Sequence, residues 1–182
     1  RDLTDDIIIP TCQRAAGKPV ERVRDRLERF DYTRQYRNIH PGGVVHALET
    51  YLLEQQLASN TVYVFDNIRG HDEVRYSLHH FSRSRFIVLD APPLERLKRL
   101  ASRADTFDTV RATRLENDTF ITNLQSIEGA TNVVDLYEVA RLEAAGYNEE
   151  SLLTSLRIIT REQINYRAGE ALAYLKDKLD AA

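Results

Sequence analysis

Hydrophobic positions follow two kinds of pattern along the chain. Three short runs are apolar at consecutive positions. They are Ile7-Ile8-Ile9, closed by Pro10; Val62-Tyr63-Val64-Phe65, between Thr61 and Asp66; and Phe86-Ile87-Val88-Leu89, between Arg85 and Asp90. The last two are apolar on both faces, the pattern of parallel strands covered by helices on either side. Asn132-Val133-Val134-Asp135 is a fourth candidate that reads equally well as the start of a helix. Elsewhere the apolar positions recur at helical spacing. Residues 43–58 carry Val44, Val45, Leu48, Tyr51, Leu52 and Leu53 on one stripe, after the stop-and-start signal His40-Pro41-Gly42-Gly43. Residues 71–80 predict a short helix bearing Val74 and Leu78. Residues 93–103 predict another, with Leu94, Leu97 and Leu100 or Ala101 inward and Pro93 in the first turn. From Tyr137 to Leu179 the pattern is helical, as segments 137–145, 149–166 and 168–179 with a break at Gly146.

Alternating strands and helices predict an α/β fold, a three-layer sandwich with a mostly parallel sheet and right-handed crossovers. Ligands of such sheets sit beyond the carboxyl ends of the strands. The residues there are Pro10–Arg14, Asp66–Gly70 and Asp90–Pro93. The apolar stripe of the tail (Leu152, Leu153, Leu156, Ile159, Ile164, Leu172, Leu175, Leu179) suits packing within the chain or a homodimer contact.

Composition narrows the function classes. With 182 residues, 42% apolar and 29% charged, the chain can bury a core without metal or disulfide staples. A net charge of −3 gives no global field toward nucleic acid or anionic lipid. The Arg-rich stretch 14–37 is interleaved with Glu21, Asp25, Glu28 and Asp31, so nucleic acid is not an expected partner. Cys12, the single cysteine, excludes an intramolecular disulfide and a Cys-rich zinc site. It lacks the Cys-x5-Arg cradle of a thiolate nucleophile, position 18 being Lys, and reads as core. No run reaches the 18 or more apolar residues of a membrane span and no leader is visible, so a cytoplasmic protein is expected. The chain holds 21 Arg against four Lys, and no Met, where about four Met would be ordinary. The missing Met predicts a natural start before Arg1. The five histidines show no metal-ligand spacing. His79 and His80, adjacent on a helix, point about 100° apart.

The chemistry is read from two linked segments. Asp66 ends an apolar run and is followed by Asn-Ile-Arg-Gly-His-Asp-Glu. Arg85–Asp90 leads through Ala-Pro-Pro into a helix bearing Arg96, Arg99 and Arg103. As an ordered set over residues 61–108, this resembles the second half of a P-loop nucleotide kinase, of the nucleoside monophosphate and dephospho-coenzyme A kinase type. The resemblance implies a P-loop kinase-like core over 1–136 with a helical extension over 137–182. It implies an ATP- and magnesium-dependent phosphotransferase acting on a nucleotide or other small phosphate acceptor. Asp66 would be the magnesium-linked acid and Arg69, at the same strand end, would face the phosphate or the acceptor. Arg99 and Arg103 would lead into a lid and reach the transferring group. Thr11, Arg14, Arg34 and Arg37 would hold the acceptor. Arginine suits such roles because its planar fork matches phosphate oxygens. Each of these residues also has a plain reading: a turn cap for Asp66, a solvated helix face for the helix 93–103 arginines, a polar basic loop for the others. The cradle G-x-x-x-x-G-K-[ST] is absent, and Gly17-Lys18 is followed by Pro19, which lacks the N–H a cradle needs. The expectation is therefore either a cradle encoded upstream of Arg1 or a kinase-like module that binds or regulates without turnover.

Overall fold

The computed structural model describes residues 2–55, 61–103 and 119–180. Among them the regular structure is helical, with no strand. A π-helical turn Thr4–Ile8 runs into α1 (Ile9–Ala15). Then come α2 (Arg26–Ile39), α3 (Gly43–Glu54), α4 (His71–His80) and α5 (Pro93–Ala101). They are followed by α6 (Phe120–Gln125), a 3-10 turn Ala130–Asn132, α7 (Leu136–Ala144), α8 (Glu149–Tyr166) and α9 (Ala168–Asp180). The helical spacing of the sequence is thus realised, with Gly146 in the left-handed region (φ +97°) after α7. Residues 56–58 of the predicted 43–58 helix, residues 104–108 of the kinase-like stretch and the side chain of Leu179 lie outside what is described.

The three-layer α/β sandwich is overturned. Ile7-Ile8-Ile9 is helical, because its buried positions continue at helical spacing: Leu3, Ile8, Ile9 and Cys12 all face the core. A run of three β-branched residues is too short for periodicity to separate strand from buried helix, and burial overrides their modest helix penalty. Residues 61–66 and 85–90 have no regular structure. Each anchors one half-buried aromatic, Phe65 or Phe86, on a core cluster and leaves its neighbours out. Val64 is 92% exposed and Ile87 91%. No backbone hydrogen bond joins either run to another described residue. Strand character in a sequence becomes a strand only where a neighbour supplies the ladder, and here none does. Asn132–Asp135 resolves as the helix start, with the Asp135 carboxylate accepting from the N–H of Tyr137 at 2.8 Å.

The chain forms two compact units. The first comprises the residues up to Val23, Arg29–Val88 and those from Asn165 on. Ile8, Ile9, Cys12, Tyr36, Val45 and Ala47 form its main core, and Val74, Ala171 and Leu175 join α4 to α9 in a second cluster. The second unit comprises Arg24–Glu28 and Leu89–Ile164. Leu97, Leu124, Val139, Leu152, Leu156 and Ile159, each fully buried, join α5, α6, α7 and α8. The tail stripe is therefore spent largely on packing within each unit. Among the described residues, no helix is long and apolar enough to cross a membrane.

Candidate functional site

The polar chemistry of the first unit gathers around the corner His40-Pro41-Gly42-Gly43. Tyr36 and His40 stand one turn apart on α2 and its end, as do His46 and Glu49 on α3 and Tyr76 and His80 on α4. This i, i+3 or i, i+4 spacing puts each pair on one helix face. The corner then brings the pairs together. The His40 and His46 rings stack with centroids 4.2 Å apart, and the Tyr36 hydroxyl lies 3.0 Å from Nδ1 of His46. The Tyr76 and His80 rings stack at 3.8 Å. The Tyr76 hydroxyl donates to Oε2 of Glu49 at 2.5 Å, and Nδ1 of His80 meets Oε1 at 2.9 Å. Burial, then the neighbouring His40, pushes the imidazole of His46 below its ordinary range, and Glu49 opposes this. The hydrogen bond from Tyr76 holds Glu49 below the usual carboxylate range, and His80 adds to it. Tyr76 is pushed up to about 12, by burial first and then by Glu49.

On the other side of the corner, Glu73 is 2% exposed. It is the third residue of α4, and its carboxylate accepts from the N–H of Arg69 at 3.0 Å and of Gly70 at 3.1 Å. It also accepts from the N–H of Val44 in the first turn of α3. The N-terminus of α3, which Gly42-Gly43 begins, is thus met by the chain's own carboxylate. Burial raises the Glu73 carboxyl, while these donors and Arg37 pull it down. Gly43 is required here. Its φ is +53°, and a Cβ would lie 2.7 Å from Oε1 of Glu73 and 2.9 Å from Cγ of Arg37.

The residues singled out in the sequence scatter among several roles. Arg37 and Arg69 come together, their guanidiniums 4.6 and 6.0 Å from the centre of the Tyr166 ring. Arg37 is built into the fold: Nη2 donates to the carbonyl of Asn165 at 3.0 Å, and Nη1 lies 3.9 Å from Glu73. Arg34 is exposed and pairs with Asp31 on its own helix at 2.9 Å. Thr11 is half-buried and Arg14 exposed, both on α1. Asp66 is exposed on the extended run rather than at the end of a sheet strand. Arg99 and Arg103 are exposed and belong to the second unit. Arg96, with Arg26, grips Glu162 there. Cys12 is buried, its thiol raised by burial. Sequence reasoning missed Glu73, Glu49, Tyr36 and Tyr76. The signal was present as aromatic and polar pairs at helical spacing, and as a Gly-x-x-Glu start at Gly70 like that of a capping box.

A second polar site lies just after α4. Ser82, Arg83, Ser84 and Arg85 line an open hollow of about 330 Å³. The N–H of Ser84 bonds to the carbonyl of Phe81 at 2.9 Å and fixes the turn. Among the described residues neither Arg83 nor Arg85 has an ion-pair or hydrogen-bond partner. By contrast Arg26, Arg29, Arg34, Arg96 and Arg167 all meet carboxylates. Two arginines without partners among the described residues and two serines along one hollow carry donor groups suited to an oxyanion.

The residues present do not fit ATP held in the P-loop manner. The cradle is missing from the sequence, and the α3 N-terminus is taken by Glu73. Among the described residues no group of three or more His, Cys, Asp or Glu side chains is placed to share a metal ion. No family model matches the chain, and neither does any curated protein or solved structure.

Proposed function

We propose that the chain is a non-catalytic module that binds a phosphate-bearing ligand, a nucleotide or other small phosphorylated molecule, at the loop Ser82–Arg85. The observation that carries this reading is the open hollow lined by Ser82, Arg83, Ser84 and Arg85, whose two arginines have no ion-pair or hydrogen-bond partner among the described residues. Guanidiniums bind phosphate through charge-assisted, often bidentate hydrogen bonds. The site is open to water and salt screens it, so affinity is modest, about 0.1–1 mM at physiological ionic strength. Binding is favoured over transfer because the chain supplies no phosphate cradle and Asp66 stands on an exposed extended run.

Calorimetric titration with inorganic phosphate and with ATP tests the reading. Heat of binding that falls with added salt, and that Arg83→Ala with Arg85→Ala reduces at least tenfold, is the expected result. Equal binding by the double variant would place the ligand elsewhere. No binding at low salt would end the proposal.

A further inference from the structure

We propose that the corner His40–Gly43 is a proton-operated hinge between α2 and α3, closed while His40 and His46 are neutral and opened by acid. The inference rests on the ring cluster alone and is independent of the phosphate reading.

The cluster gathers three imidazoles around a single carboxylate, Glu49. His80 lies at the exposed end and already meets Glu49, so its protonation completes an ion pair. Glu49 is then neutralised. His40 and His46 remain stacked at 4.2 Å with rings only 13° from parallel. Two positive charges that close, partly shielded from water, repel strongly. Beyond Glu49, the groups around them offer no relief. From α2, Tyr36 faces both rings and Arg37 stands by Gly43 with its own positive charge. From α4, Tyr76 keeps its proton and Glu73 is engaged by three N–H groups and Arg37. From the N-terminal helix, Cys12 faces Tyr36, Asp5 is paired with Arg29, and Asp6 is exposed.

The backbone at the corner gives acid something to release. The N–H of Gly43 bonds to the carbonyl of His40 at 2.8 Å, and the N–H of Val45 to the carbonyl of Gly42 at 3.0 Å. Gly43 holds a left-handed conformation, and the Tyr76 ring lies against Gly42 so closely that a Cβ there would meet it at 2.5 Å. His40 is itself the residue that ends α2 and starts the turn. Its carbonyl is the acceptor for the Gly43 N–H, so a shift of the chain at His40 reaches the turn directly.

The sign follows from His46. Its folded-state affinity for a proton is below that of an unstructured histidine, which titrates near about 6.5. The closed corner is fully stabilised above that pH and loses stability as the pH falls below it.

Amide hydrogen exchange by NMR between pH 7.5 and pH 5, corrected for intrinsic rates, tests the hinge. The expected result is at least a tenfold loss of protection at Gly43, Val45 and His46 on acidification, with α9 amides unchanged. His40→Phe keeps a stacking ring without the charge and should retain protection at pH 5. Titration of the wild-type imidazole signals gives a second reading that needs no variant, with His46 below the unstructured value. Retained protection at pH 5 in the wild type would overturn the hinge. So would equal loss in His40→Phe, loss spreading to α9, or a His46 midpoint at the unstructured value.

Discussion

At the scale of single residues, Gly43 and Glu73 decide the corner. Gly43 is the meeting point of a positive φ and a close contact, so Gly43→Ala carries a left-handed penalty of about 1–2 kcal/mol before any displacement of Glu73. A urea midpoint lowered by that amount or more, with unchanged slope, is the expected outcome. Glu73→Ala leaves the N–H groups of Val44, Arg69 and Gly70 without their acceptor inside the core. Unmet buried donors cost about 1–3 kcal/mol each where water cannot reach them, so this variant should be destabilised by at least about 2 kcal/mol. Denaturation of both variants at pH 7 checks the pair. The sequence held only part of this. Gly42-Gly43 was legible as a helix start, but nothing local says that a carboxylate 30 positions later fills it. That contact is tertiary.

At the scale of elements, helices were legible and strands were not. The stripes of α3, α4, α5 and α8 are long enough for the 3.6-residue period to show. The runs 61–66 and 85–90 are too short and too uniformly apolar for that. Their composition states what they would do beside a partner strand, not whether one is present. The distinction is measurable. Val64 and Ile87 are almost fully exposed, so Val64→Lys and Ile87→Lys should each shift stability by no more than about 0.5 kcal/mol. In a buried parallel sheet the same changes would be ruinous. Leu97, fully buried against α6, α7 and α8, is the contrasting case, and Leu97→Ala should cost about 2–5 kcal/mol. A large loss for the two lysine variants, by thermal or urea denaturation, would mean that these runs are buried after all. The candidate site was legible to a similar degree. The arginines drew attention for their number, but which of them are uncommitted depends on where Asp2, Asp5, Asp31, Asp72 and Glu162 fall in the fold. Arg83 and Arg85 are singled out by sharing one hollow, which the sequence does not show.

At the scale of the whole molecule, two compact helical units replace the expected sheet, and the proposed phosphate site falls on one loop rather than on strand ends. The order of residues over 61–108 that resembles a kinase is compatible with binding phosphate, whereas transfer would demand a positioned acid and Asp66 stands on an exposed extended run. The proposed function is binding without turnover. Phosphorus NMR of ATP with magnesium, in the presence of the chain, tests both halves at once. The account predicts broadened ATP resonances that sharpen again in the Arg83→Ala, Arg85→Ala variant, with no ADP or phosphate accumulating over hours. Steady formation of ADP dependent on the chain, or ATP resonances left unchanged at low salt, would contradict it.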